Sequence, residues 1–139
     1  FGVNYRELAY RYSSFTQPIA HKIYSDLCVL GKDSYINRVQ ATLNFVQFIP
    51  YGRPDYDAPG WYYHELAVPP ECFIMGYGDC DTKSLFFASI LLHLIPPENI
   101  VLVNCEVESS ATSGSGNHTM AAVSNLGLYN ENIIFENTF

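Results

Sequence analysis

The sequence predicts an α+β fold, with helices first and antiparallel strands after them. Three observations carry this. Apolar residues recur at helical spacing through Gln17–Leu30 and again after Asp33. The run from Asp79 to Ile95 is apolar nearly all round, as in a buried central helix. Beyond Ile100 the texture changes to short β-branched stretches separated by Ser, Gly and Asn.

Residues 1–16 are aromatic and polar with weak alternation, and no element is assigned to them. The first helix, Gln17–Leu30, has its stripe at Ile19, Ile23, Leu27 and Leu30, closed by Gly31. Asp33 reads as the N-cap of a second helix, with Ile36, Val39, Leu43, Val46 and Ile49 inward and Pro50 as its stop. From Pro50 to Gly78, Pro and Gly recur among Tyr51, Tyr56, Trp61, Tyr62 and Tyr63, which reads as an irregular connection forming a cleft wall. Asp79–Ile95 is the third helix, ended by Pro96-Pro97. Strands are expected at Ile100–Val107, His118–Ser124 and Asn132–Phe139, with a flexible Glu108–Asn117 loop and a turn around Asn125-Leu126-Gly127.

At 139 residues the chain fits one domain, 1–139. The start at Phe1, without a leader pattern, and the end at Phe139 inside an apolar segment both suit a domain trimmed from a longer protein. A formal charge of −7 and the lack of any Lys/Arg cluster disfavour nucleic-acid binding. No apolar run reaches the roughly 18 residues of a membrane span. The four cysteines, Cys28, Cys72, Cys80 and Cys105, lack the paired spacing of a zinc ribbon, and one disulfide among them is feasible.

Chemistry concentrates in Gly76-Tyr77-Gly78-Asp79-Cys80-Asp81-Thr82-Lys83-Ser84. Here a cysteine opens a buried helix just after a glycine-rich turn. Unpaired backbone N–H groups at a helix start stabilise a thiolate and can hold the oxyanion of a tetrahedral intermediate. Asp79 and Asp81 oppose the thiolate unless they point away or are paired. A nucleophilic cysteine also needs a base, and the base an orienting acceptor. Among His21, His64, His93 and His118, only His118 opens a predicted strand after a mobile loop. His21 suits a helix surface, His93 falls more than three turns along the Cys80 helix, and His64 is a minor competitor in the aromatic loop. For the orienter, Glu136 is a carboxylate in an otherwise apolar strand, with Asn137 as the alternative. Lys83 is read as part of a solvated face.

The segments Phe45–Tyr51, Gly78–Asp81, Asn117–Val123 and Phe135–Thr138 together resemble the transglutaminase-like superfamily, which includes bacterial transglutaminase-like cysteine proteinases. The resemblance spans about residues 36–138. It implies a papain-like core, with the nucleophile on a central helix packed on an antiparallel sheet. It assigns Cys80 as nucleophile, His118 as base and Glu136 at the position usually held by Asp, with Thr138 favouring Glu136 over Asn137. It leaves the oxyanion helper open among Gln47, Tyr51, Trp61 and Tyr77, and it raises calcium binding at Asp79 and Asp81, against which a capping or solvated role is weighed. The implied activity is acyl transfer on a protein or peptide amide without a cofactor. Hydrolysis is favoured, with protein-glutamine transamidation and a non-catalytic scaffold module as alternatives. The implied location is an extracytoplasmic bacterial domain.

Overall fold

A computed structural model describes residues 3–52, 66–108, 115–124 and 133–135. Within them the chain is α+β, with helices on one face of a three-stranded antiparallel sheet ordered β1-β2-β3.

The segment left without an element by sequence contains a short helix, α1 (Tyr5–Arg11), whose Asn4 side chain accepts from the Glu7 amide. Helix α2 (Ser13–Val29) starts earlier than predicted and carries Pro18 inside it. Its packed face runs through Thr16, Ala20, Ile19 and Ile23, whereas Leu30 lies beyond the helix and is exposed. Gly31 then adopts φ 65, the left-handed conformation that a glycine tolerates after a helix end. Helix α3 (Tyr35–Gln47) is capped by Ser34, which accepts from the Asn37 amide, and not by Asp33. Asp33 instead accepts from Arg38 Nε and Nη2 at 2.7 and 2.8 Å. Val39, Leu43 and Val46 are buried as expected, while Ile36 is exposed and Tyr35 packs in its place.

The predicted irregular connection is interrupted by helix α4 (Pro69–Met75). Its two prolines occupy the first turn, where a missing N–H costs nothing. Tyr56, Trp61, Tyr62, Tyr63 and His64 lie outside the described residues, as does the Asn125-Leu126-Gly127 turn.

Helix α5 (Cys80–Leu91) is the centre of the molecule, and every one of its residues but Asp81 is buried. Its Phe86, Phe87, Ile90 and Leu91 join Val39, Val46, Ala121 and Val123 in the main core. It ends at Leu91, ahead of the predicted Ile95. Lys83, expected on a solvated face, is also fully buried, because every side of α5 beyond Asp81 is covered.

A 3₁₀ turn (Pro97–Asn99) leads into β1 (Ile100–Glu108), which pairs with β2 (Ser115–Val123) from Ile100↔Val123 to Glu108↔Ser115. Strand β2 therefore begins three residues earlier than predicted. β3 (Ile133–Phe135) pairs with β2 through Ala121↔Phe135 and Val123↔Ile133. Thr119, Ala121 and Val123 turn toward α5, and their alternation with His118, Met120 and Ala122 sets which groups β2 can offer to the helix.

Candidate functional site

The site is built where the α4–α5 connection meets β2. Gly76 closes α4 at φ 73, and its N–H donates back to the Cys72 carbonyl at 2.9 Å. Two residues on, Gly78 pairs with the segment after α3: its N–H donates to Pro50 O and its carbonyl accepts from Gly52 N, both at 3.1 Å. Space, not φ, demands glycine at 78. A Cβ there would sit 2.8 Å from Thr82 Cγ2 and 3.2 Å from Cys72 Sγ.

Asp79 then takes an extended conformation, and its carboxylate accepts from the Thr82 amide at 3.2 Å as the N-cap of α5. This makes Cys80 the first residue of the central helix, where backbone N–H groups lack intrahelical partners. The predicted helix start and the cysteine's place in it both hold.

Around the sulfur, three groups compete. The Cys80 thiol donates to Asp81 Oδ1 at 3.2 Å. The Thr119 backbone N–H lies against the sulfur and favours the thiolate. Burial opposes ionisation more strongly, and together with Asp81 and Asp79 it pushes the thiol up to about 11. Cys80 is only 8% exposed. At neutral pH this arrangement holds a resting thiol.

His118 reaches this place through its backbone. It precedes Thr119, so its α-carbon lies about 2.4 Å from the amide nitrogen that faces the sulfur. Ser84 Oγ donates to the Thr119 carbonyl at 3.1 Å, so β2 runs along the first turn of α5. Strand alternation, however, sends the His118 side chain to the face shared with its cross-strand neighbour Cys105. Among the described residues the His118 ring makes no hydrogen bond to Cys80 or to a carboxylate. Backbones are brought together; the imidazole and the sulfur are not yet paired.

Glu136, Asn137 and Thr138 lie outside the described residues, as does Trp61. Of the other oxyanion candidates, Tyr51 and Tyr77 flank the Gly78 pairing and Gln47 is the last residue of α3. Asp79 is used as a cap and Asp81 is bonded to Cys80, and no group of three metal-ligating side chains occurs among the described residues. His21 is exposed on α2, and exposed His93 contacts Ser13 O at 2.6 Å. All four cysteines are free thiols.

Two functional neighbours went unnoticed in the sequence. Tyr5 Oη donates to Asp81 Oδ2 at 2.9 Å, across 76 positions of sequence. Burial, then the Asp81 carboxylate, pushes the phenol well above its ordinary value. Thr119 Oγ1 is buried near Tyr5 and has no hydrogen-bond partner among the described residues. Only the His-Thr alternation in β2 could have flagged Thr119, and nothing local flags Tyr5.

Comparison with protein-family models, curated proteins and solved structures returns no match. Among the described residues no helix is long and apolar enough to cross a membrane.

Proposed function

We propose that the chain is a cysteine-dependent acyl-transfer enzyme of the transglutaminase-like type, with a papain-like core, acting on amide bonds of a protein or peptide. The observation that carries this reading is the convergence at Cys80. A thiol opens a buried helix, and the strand bearing His118 lays the next amide on its sulfur.

In the proposed cycle the His118 imidazole turns to the sulfur and takes its proton, and the thiolate attacks the carbonyl carbon. The free N–H groups at the start of α5 hold the resulting oxyanion. The imidazolium then returns its proton to the departing amine, leaving a thioester that water hydrolyses. Strand alternation turns the ring to the Cys105 face, so the cycle requires the imidazole to swing around the β2 backbone to the sulfur when substrate binds. Glu136 follows Phe135, whose partner on β2 is Ala121, three residues along from His118. That connectivity supports Glu136 as the group that orients the imidazole. An amine in place of water would make the reaction a transamidation.

One observation favours a second reading. A buried thiol bonded to a carboxylate suits a non-catalytic module that keeps the fold. Hydrolysis of a peptide library separates the two. Loss of turnover in Cys80→Ala and in His118→Ala, with the fold retained, is expected of the enzyme. Full turnover in Cys80→Ala would refute the assignment.

A further inference from the structure

Helix α1 is attached to the molecule differently from the other helices. It contributes nothing to the main core. Its one buried residue, Ala9, belongs to a separate small cluster with Leu85 and Ala88 on α5. A cavity of about 620 Å³ opens beside it, lined in part by Tyr5, Ala9, Leu92 and Leu102. Elements resting on few apolar contacts open at lower free energy than the global fold. The joint to α2 is the single residue Tyr12, which ends one helix and begins the next at φ −97, ψ 8.

Two long-range hydrogen bonds tie α1 down. Ser89 Oγ, in the last turn of α5, donates to the Ala9 carbonyl at 3.1 Å. At the other end Tyr5 Oη donates to Asp81 Oδ2, while the second oxygen of the same carboxylate accepts from Cys80. Tyr5 therefore fixes the carboxylate that fixes the thiol. An acyl donor could not reach the sulfur as it stands, since Cys80 is 8% exposed and its hydrogen points at Asp81.

We propose that α1 is a hinged strap beside Cys80, latched by the Tyr5–Asp81 hydrogen bond, and that the thiol rests closed until that latch is released. The proposal rests on the reading of Cys80 as nucleophile. With the latch broken, Asp81 turns to water, the thiol loses its acceptor, and the site opens to His118 and to substrate.

The test is the rate at which iodoacetamide alkylates Cys80 near neutral pH, followed by mass spectrometry of the Cys80 peptide. Four proteins are compared: wild type, Tyr5→Phe, Asp81→Ala, which leaves no acceptor for Tyr5, and the double variant. Tyr5→Phe is expected to accelerate alkylation about tenfold, the scale of one hydrogen bond to a carboxylate. It should add no further gain in the Asp81→Ala background. An unchanged rate in Tyr5→Phe overturns the strap. So does an equal acceleration in both backgrounds, since Tyr5 would then act by general loosening. Should Tyr5→Phe not fold, Asp81→Ala alone reads the latch from its other side, and a wild-type rate there overturns it. Alkylation opened by Tyr5→Phe while Cys80→Ala keeps turnover would sink the catalytic reading and leave the strap. Turnover lost in Cys80→Ala with alkylation indifferent to Tyr5 and Asp81 would sink the strap alone.

Discussion

The Lys83 ammonium, inside the central helix, donates to the Ile49 carbonyl at 2.9 Å. It thereby ties the first turns of α5 to the end of α3, immediately before the Pro50–Gly52 segment that pairs with Gly78. Burial pushes its ammonium down from the ordinary lysine value. A desolvated cation at this place is costly unless its donors are used, so its partners matter more than its charge.

Lys83→Ala should therefore destabilise the protein by ~2–4 kcal/mol, through a cavity and an orphaned carbonyl. Lys83→Met keeps most of the volume and should lose ~1–2 kcal/mol. Urea denaturation of the three proteins checks the order. Wild-type midpoints for both variants would remove Lys83 from any structural role.

The helix cap beside Cys80 can be tested separately from its charge. Asp79 accepts from the Thr82 amide, and its carboxyl is pushed up by burial, against the hydrogen bonds of Thr82. Asp79→Ala should lose ~1 kcal/mol, whereas Asp79→Asn, a comparably good cap, should stay within ~0.5 kcal/mol of wild type. Thermal melts give the comparison. Equal losses in the two variants would mean that the carboxylate charge, and not the cap, supplies the stability.

Much of this was legible in the sequence because local rules sufficed. The stripe of α3 and the all-round apolar α5 report their own burial, and the β-branched run of β1 reports a strand. Gly-Asp before Cys80 reports a helix start through turn and cap chemistry. Where local rules competed, the reading failed. Ser34 and Asp33 are both good caps, and the choice fell to Ser34 because Asp33 has Arg38 as a partner. Pro69-Pro70 looked like loop, although two prolines suit a first helical turn. Lys83 looked solvated by residue type, and only the surroundings of α5 bury it. Tyr5 and Asp81 meet through tertiary packing alone, with no spacing rule to predict it. The sequence brings His118 to the strand that meets Cys80, but alternation in β2 gives the α5 face to Thr119 instead of His118.

The close approach at Gly78 makes a reciprocal prediction. Gly78→Ala places a methyl group 2.8 Å from Thr82 Cγ2, and the backbone pairing with Pro50 and Gly52 hinders escape. A loss of ~1–3 kcal/mol is expected. Thr82→Ser removes the opposing methyl while keeping the hydroxyl that accepts from the Ala67 amide at 3.0 Å. Adding Thr82→Ser to Gly78→Ala should therefore recover part of the loss. Strict additivity of the two changes would show that the methyl contact is not the cause.

Cys72 supplies the pH dependence. It is a buried, free thiol on α4, and burial pushes it from 9.0 up to about 11. Nearby Lys83 opposes that shift, and Asp79 adds to it. The folded state thus holds this proton more tightly than the unfolded chain does. Below the unfolded thiol value both states are protonated and the contribution to stability is complete. As pH rises from 9.0 toward about 11 the unfolded chain ionises first, and the contribution is lost. Cys80, pushed up to about 11 as well, acts in the same sense and window. Wild-type stability should fall by ~1–2 kcal/mol per thiol across that window. Cys72→Ala, less stable at the outset for want of the sulfur, should lose less on going alkaline. Urea midpoints at about pH 8 and about pH 10 measure the difference, and equal alkaline losses in the two proteins would show that Cys72 ionises no later in the folded state than in the unfolded chain.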